Sequence, residues 1–568
     1  MTALLIDNMP LLAGAPNGVK KLRELILELA VSGKLVQQDP SDEPASELLT
    51  RVAKEKERLT SEEGLRTTAR DDVPDDEHNF PSLPGWACCR LGNLARFIDY
   101  RGRTPTKTTY GVPLITAKNV RPGFISREPQ EFIALDDYSS WMTRGFPRLG
   151  DMLFTTEAPM GNVAIIDITE QFALAQRVIC FQLHELSTGP FLKLAIMSSG
   201  FQVQLSAAAT GMTATGIKSS RLKEIPVPIP PLAEQQRIVS KVDELMTLCD
   251  RLETQQADAG IAHSQLVQAL LDSLTQASDA TDFATNWQRL AEHFHIMFTT
   301  EPSIDALKQT LLQLAVMGKL VPPESSDEPA SELLKRIAEE KGQLMEEGKI
   351  RKQKPLGEIT EEEKPYELPA AWAWTRLGSQ VIESGAGWSP SCEARPRDGD
   401  EWGVLKVSAV SWGIYRPEEN KALPPNLEAR PEHEVAKGDF LVSRANTAEL
   451  VARSVVVEET PNRLMLSDKI VRLKLTALCA RRYVNLANSA PLARIYYSQV
   501  AGGTSSSMKN VSREQILNLP IALPPLAEQQ RIVAKVDQIM LLCDTLKRQI
   551  NVANEKQTIL LNAVIAQV

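Results

Sequence analysis

The chain is written twice, and any fold it adopts must repeat. Residues 29–36, LAVSGKLV, return at 314–321 as LAVMGKLV, and the nine residues SDEPASELL at 41–49 recur unchanged at 326–334. Trp86 followed by Arg90-Leu91-Gly92 is echoed by Trp372 followed by Arg376-Leu377-Gly378. The ten residues PPLAEQQRIV at 230–239 reappear at 524–533, and the match runs on through KVDELMTLCDRLE and KVDQIMLLCDTLK. Self-similarity of this kind is the first thing to settle, because it fixes the architecture before any local reading. Each copy consists of a helical lead-in, a globular insert and a long helix. The inserts, from Gly92 to Pro230 and from Gly378 to Pro524, resemble each other little. Two similar frames that carry two different surfaces are built to meet two different things.

Pro230-Pro231 and Pro524-Pro525 bar an earlier start to the long helices, and proline is tolerated at a helix N-terminus. Ile238, Val242, Leu245, Cys249 and Leu252 follow a 4-3-4-3 spacing, and Ile532, Val536, Ile539, Cys543, Leu546 and Ile550 repeat it. That is a heptad seam. A helix over 232–275 would extend roughly 60–65 Å at 1.5 Å per residue, more than a compact domain core requires. Two copies related by a pseudo-twofold axis point equivalent helices in opposite directions, so an antiparallel pair is expected. The inserts carry β-rich runs at Val112–Val120, Val163–Ile168, Val178–Leu183, Val404–Val410 and Ser454–Glu458. The predicted fold is α+β: two mixed α/β domains joined by two long antiparallel helices in a pseudo-twofold arrangement. The expected divisions are a helical extension over 1–80, the first insert over 81–230, a long helix over 231–278, a second helical repeat with a charged connector over 279–365, the second insert over 366–524, and the last helix over 525–568.

The net charge of −9 is unevenly spread. Residues 95–225 hold 14 Lys/Arg against 11 Asp/Glu, and 376–520 hold 19 against 16, so the rest of the chain carries the acidic excess. Within these segments 186–223 contains Lys193, Lys218, Arg221 and Lys223 and no acid, and 469–513 contains eight basic residues and no acid. One-signed stretches suit a phosphate backbone, where each contact releases counterions. Seven cysteines without a C-x-x-C fit a reducing compartment, no apolar run approaches a membrane span, and a cytoplasmic location is expected.

The first insert opens on a turn-rich basic loop with Arg101, Arg103, Thr104 and Lys107, followed by VPLITAKN with Lys118 and Asn119. The second has Trp388 and Ser389 in a glycine-rich loop, then Lys406 and Ser408. Gly150-Asp151 and Gly438-Asp439 look like matched turns that place Thr155, Arg444 and Asn446 beyond them. Thr210–Lys218 and Gly502–Lys509 are small, hydroxyl-rich and end in Lys, and Lys469 begins the basic run. Arg, Lys and Asn pair with guanine or adenine edges, while Ser and Thr mostly hold phosphates. Catalytic patterns are missing from the sequence. There is no NPPY-like loop for transfer to an adenine amine and no G-x-x-x-x-G-K-[ST] loop for ATP, and the six histidines form no ligand array. Cys249 and Cys543, on the seams, read as small core residues.

The doubled PPLAEQQRIV-x-K-V-D, each copy following a diverged insert, resembles the specificity subunit of type I restriction–modification enzymes. LAVxGKLV with SDEPASELL is similar to the subgroup with a long helical N-terminal extension. The resemblance implies a non-catalytic chain whose inserts each read one half of a bipartite DNA site. It also implies long helices that set the spacing and dock two copies of an adenine methyltransferase subunit. By that resemblance Gln235, Arg237, Lys241, Gln529, Arg531 and Lys535 lie on the docking and ruler helices. A motor-endonuclease subunit would complete the enzyme, with S-adenosylmethionine, ATP and Mg2+ bound by the partners and none by this chain. A related enzyme cutting on both sides of its site shares the duplicated plan, and a coiled-coil scaffold would share the helices. Both stay open on sequence grounds.

Overall fold

The computed structural model describes residues 2–63, 73–74, 80, 83–100, 105–210, 215–411, 413–503 and 508–567. The chain divides into two units, one made of Met1–Gly260 with Ala553–Val568 and the other of Ile261–Val552. Each unit therefore contains the beginning of one long helix (Leu232–Thr275 or Leu526–Gln567) and the end of the other, the antiparallel plan that duplication implies.

Within each unit the globular insert, hereafter a head, is closed by a two-stranded clasp. Ala87–Arg90 pairs antiparallel with Pro226–Ile229, so that Ala87 faces Ile229 and Arg90 faces Pro226. In the second unit Ala373–Arg376 pairs with Pro520–Leu523 in the same register. Prolines fit because a two-stranded ribbon has only edges, where a missing N–H costs nothing. Inside the first head a four-stranded antiparallel sheet runs in the order Ala95–Asp99, Val178–Leu183, Met152–Thr156, Met160–Ile165. A smaller sheet orders Phe132–Ile133, Val112–Ile115, Ala173–Leu174, its last pair parallel. The second head repeats both, with Val381–Ala386, Ile470–Leu475, Phe440–Ser443, Ser454–Val456, and with Asn420–Ala422, Gly403–Leu405, Leu464–Met465.

Strand Met152–Thr156 is buried at every residue because both of its faces are covered. Met152 and Phe154 share a core with Leu192, Ile196, Phe201 and Leu205 of the helices Gly189–Met197 and Ser199–Ala208. Leu153 points the other way, into a core with Val112, Leu114 and Ile115 of the small sheet. This alternation is the period-two geometry of a strand. The β-rich runs at 112–120 and 404–410 overshoot, since after Ile115 and Leu405 the chain turns.

The heptad seams are buried as expected, but several different elements fill them. Ile238, Val242, Leu245 and Cys249 share a core with Leu22, Leu25 and Ile26 of the lead-in helix Gly18–Val31, and with Phe191 and Leu194 of the head. Ile565, near the end of the other long helix, joins the same cluster. In the second unit Ile532 and Val536 pack with Ala315, Val316, Tyr483 and Val484. Farther along, Ile539, Cys543, Leu546 and Ile550 meet Leu307 and Leu311 together with Val267, Leu271 and Leu274.

The repeated motifs exist to hold this frame. The lead-in helices end at Gly33 and Gly318, with φ of 69° and 73°, where a Cβ would strike Leu83 at 2.2 Å or Pro369 at 2.6 Å and crowd Trp86 or Trp372. Only glycine satisfies both the left-handed turn and the close approach. The Trp86 indole donates to Glu234 at 3.0 Å, and that of Trp372 to Glu528 at 3.0 Å. One turn on, Arg237 grips Asp42 through two hydrogen bonds (3.2 and 2.5 Å), and Arg531 grips Asp327 (3.3 and 2.6 Å). The motifs recur together because SDEP, the tryptophan and AEQQR are mutual partners.

Burial raises the carboxyls of Glu234 and Glu528 above the usual carboxylate range, against the pull of the indole hydrogen bonds. A raised folded value means that folding takes up protons. The contribution is full below the unfolded carboxylate value and is lost as pH rises through the raised one. Glu528→Gln keeps an oxygen for Trp372 and buries no charge. Its melting temperature relative to the parent should therefore climb between about pH 4 and pH 7. A constant difference across that range would remove carboxyl burial as a factor.

Candidate nucleic-acid interface

In both heads, segments far apart in sequence meet at one end of the central sheet. The turns at Gly150-Asp151 and Gly438-Asp439 match in structure, with glycine φ of 87° and 86°, and each launches the strand that leads to this end. In the first head Thr156 takes a central place. Its N–H donates to the Arg177 carbonyl at 3.0 Å, and its own carbonyl accepts from the N–H of Ile217 at 3.1 Å. In the second head Arg444 holds the same place, donating to the Lys469 carbonyl at 2.9 Å and accepting from Val511 at 2.9 Å. Alike in the two heads, a bridge joins Thr210 to Gly216 in one and Gly502 to Asn510 in the other. The resulting ledge presents Arg177 and Lys218 in the first head, and Arg444, Asn446, Lys469 and Lys509 in the second.

Beside the first ledge lies a cleft of about 280 Å³, lined among others by Lys107, Thr116, Lys118, Glu131 and Arg177. Lys107 is paired with Glu131 at 2.7 Å, and Lys118 is exposed. The counterpart turn of the second head carries Lys406 and Ser408, which converge on Glu419 at 3.3 and 2.8 Å. The Ser408 hydroxyl and the Lys406 ammonium hold Glu419 below the usual carboxylate range. Ser389 is exposed and hydrogen-bonded to Asp468, while Trp388 is half-buried with the Arg430 guanidinium 4.2 Å from its ring centre. Asn446 donates to Ser411 at 2.7 Å. Arg101, Arg103 and Thr104 lie outside the described residues.

Two expected contacts require correction. Asn119 is buried: its amide oxygen accepts from the N–H and hydroxyl of Thr116, and its NH2 donates to the carbonyls of Ser126 and Pro129. Both ends are committed, so it shapes the turn that presents Lys118. Thr155 is fully buried and accepts from the Asn162 N–H at 3.0 Å. The acid-free run 469–513 is also not a continuous positive track. Arg472 meets Asp439, Lys474 meets Glu383, and Arg482 meets Asp537. Burial pushes Arg494 down to about 10, where it donates to the carbonyls of Val451, Ala452 and Asn488. Arg177, Glu131 and Glu419 were not singled out in sequence. Setting LAQRV at 174–178 beside LSDKI at 466–470 would have flagged Arg177 as the partner of Lys469.

On the long helices, Gln235 and Gln529 are buried. Their NH2 groups donate to the Pro230 and Pro524 carbonyls at 2.9 Å, and Gln529 also accepts from the Ala480 N–H. They tie the helix starts to the frame and are not open to a partner. Arg237 and Arg531 are engaged with Asp42 and Asp327, as above. Lys241 is half-buried and paired with Glu244, and Lys535 is exposed. Among the described residues no three His, Cys, Asp or Glu side chains gather as a metal site would need, and no helix is long and apolar enough to cross a membrane.

The family profile described as "Type I restriction modification DNA specificity domain" matches residues 86–260 and 465–555, segments that contain much of each head and both clasp-to-helix junctions. The specificity subunit of the EcoEI type I restriction enzyme of Escherichia coli is 38% identical over 573 residues, spanning 96% of this chain and 93% of that one. The chain belongs to the type I restriction–modification specificity subunits. The EcoAI specificity subunit of Escherichia coli is 34% identical over 96% of this chain and 93% of its own length. A solved chain from work on "complex assembly and conformational transition of the type I R-M system" shares the fold at a TM-score of 0.50. It is 19% identical and covers 86% of this chain and 98% of that one. The residues that support the ledges can be separated from their exposed ones. Asn119→Ala should cost the first head about 1–3 kcal/mol, since it orphans several buried groups at once. Lys118→Ala, one residue away and exposed, should change stability by less than about 0.5 kcal/mol. Thermal melts of the two variants check the contrast, and equal losses would contradict the assignment.

Proposed function

We propose that this specificity subunit recognises an asymmetric, bipartite DNA sequence, each head reading one half, and carries no chemistry of its own. The observation behind this reading is that one frame, built twice from the same motifs, ends in two ledges with the same backbone scaffold and different side chains. Thr156, buried with its hydroxyl on the Arg177 carbonyl, stands where the half-buried Arg444 stands, so the two ledges present different side chains and would ask for different bases. The long helices would set the distance between half-sites, about one helical turn or roughly 34 Å. The two equivalent frames would dock two copies of an adenine methyltransferase subunit. A motor-endonuclease subunit would join them. S-adenosylmethionine, ATP and Mg2+ would be bound by those partners, and the acidic frame would face protein while the ledges face phosphate.

Methylome sequencing of cells that carry the subunit with its partners tests this directly, since it reports both halves and their separation. Lys406→Ala or Arg444→Ala should relax or weaken one half-site and leave the other unchanged, each by about 1–3 kcal/mol. Equal relaxation at both halves would refute the one-head, one-half assignment. Inserting a few residues near Thr275 should lengthen the tolerated gap, and an unchanged gap would take the ruler role away from that segment.

A further inference from the structure

Arg177 precedes strand Val178–Leu183 by one residue, and Lys469 precedes Ile470–Leu475 by one residue. The registers agree: Val178 faces Thr155 and Ile470 faces Ser443, so each cation lies across from the next residue, Thr156 or Arg444. The same backbone hydrogen bond fixes both, at 3.0 and 2.9 Å. The heads differ at the facing position, Thr156 against Arg444, yet both carry a long exposed cation here. The position is also concave in the first head. Arg177 lines the cleft with Thr116 and Lys118, whereas Lys218 is exposed and outside its lining.

We propose that Arg177 and Lys469 are specificity-determining residues, each donating to the O6/N7 edge of a guanine at corresponding places in the two half-sites. The chemistry follows from the donors. Arg and Lys are the side chains that pair with the two acceptors of guanine in the major groove, an edge no other base pair presents in that form. The nearest acid to Arg177 is Glu157 at 3.6 Å, in a pair with both members substantially exposed. Such a pair is weak enough to open when a better acceptor arrives. It also orients the guanidinium before DNA binds. Lys469 takes part in no ion pair among the described residues. The assignment rests on the reading above that each head contacts its own half-site.

The test uses the full chain co-expressed with its methyltransferase partner, with methylomes of the parent, Arg177→Ala, Arg177→Lys and Lys469→Ala. In the parent, each half-site should contain a guanine or its paired cytosine at matching distances from the site centre. Arg177→Ala should raise modification at sites altered at that one position about ten- to hundredfold relative to the cognate site, with the other half unchanged. Lys469→Ala should do the same in the other half, and Arg177→Lys should keep the preference in part. Modification that falls uniformly over all sequences, with a shallower salt dependence, would make these phosphate contacts and overturn the proposal. So would a half-site without a guanine at the matching place. Melting temperatures of the purified variants exclude loss of folding, since neither side chain lies in a core. Failure of the parent complex to modify any specific sequence would instead reject the recognition reading itself, and this assignment with it.

Discussion

Each half of this molecule depends on a buried handshake between an indole and a carboxylate at the start of a long helix. Trp86 with Glu234, and Trp372 with Glu528, join the end of the lead-in region to the first turn of the helix that leaves the head. The rings also meet the heads edge-on, Trp86 against Phe191 at 6.2 Å and Trp372 against Tyr483 at 6.4 Å. A carboxylate held in such a place is costly without donors, so tryptophan, glutamate and the flanking Asp–Arg grips must be kept together or lost together. That coupling explains why the repeated stretches of sequence are scattered short motifs and not one long block.

The architecture was legible because duplication and periodicity are both one-dimensional signals. Proline pairs and 4-3-4-3 spacing placed the long helices within a few residues of Leu232–Thr275 and Leu526–Gln567. What fills the seams was not legible: a heptad pattern says that one face is buried and leaves the partner open. Here the lead-in helix, a head helix and the other long helix share the task. Strands were harder, because Thr116–Asn119 and Val407–Ala409 read as strand by composition while their backbones turn.

The ledges were legible in outline only. Lys118, Lys218 and Lys469 are exposed. Asn119 and Thr155 had the right chemistry and the wrong orientation, facing inward to hold the turn and the strand that carry their neighbours. Charge counted along the chain misled for a different reason. The run from 469 to 513 contains no acid, but Asp439, Glu383 and Asp537 are brought to it from elsewhere by the fold. Neutralisation is a three-dimensional property, and a run without acids can still be paired by acids from elsewhere in the fold.

The two-stranded clasps have one more consequence. Ala87 faces Ile229 and Ala373 faces Leu523, so each head enters and leaves its frame through adjacent residues. A head is thus a cartridge plugged in at a single socket, and its interior can drift or be exchanged wholesale while the socket's own contacts stay intact. Such a design lets the surface of one head change without renegotiating the other head or the scaffold that carries both.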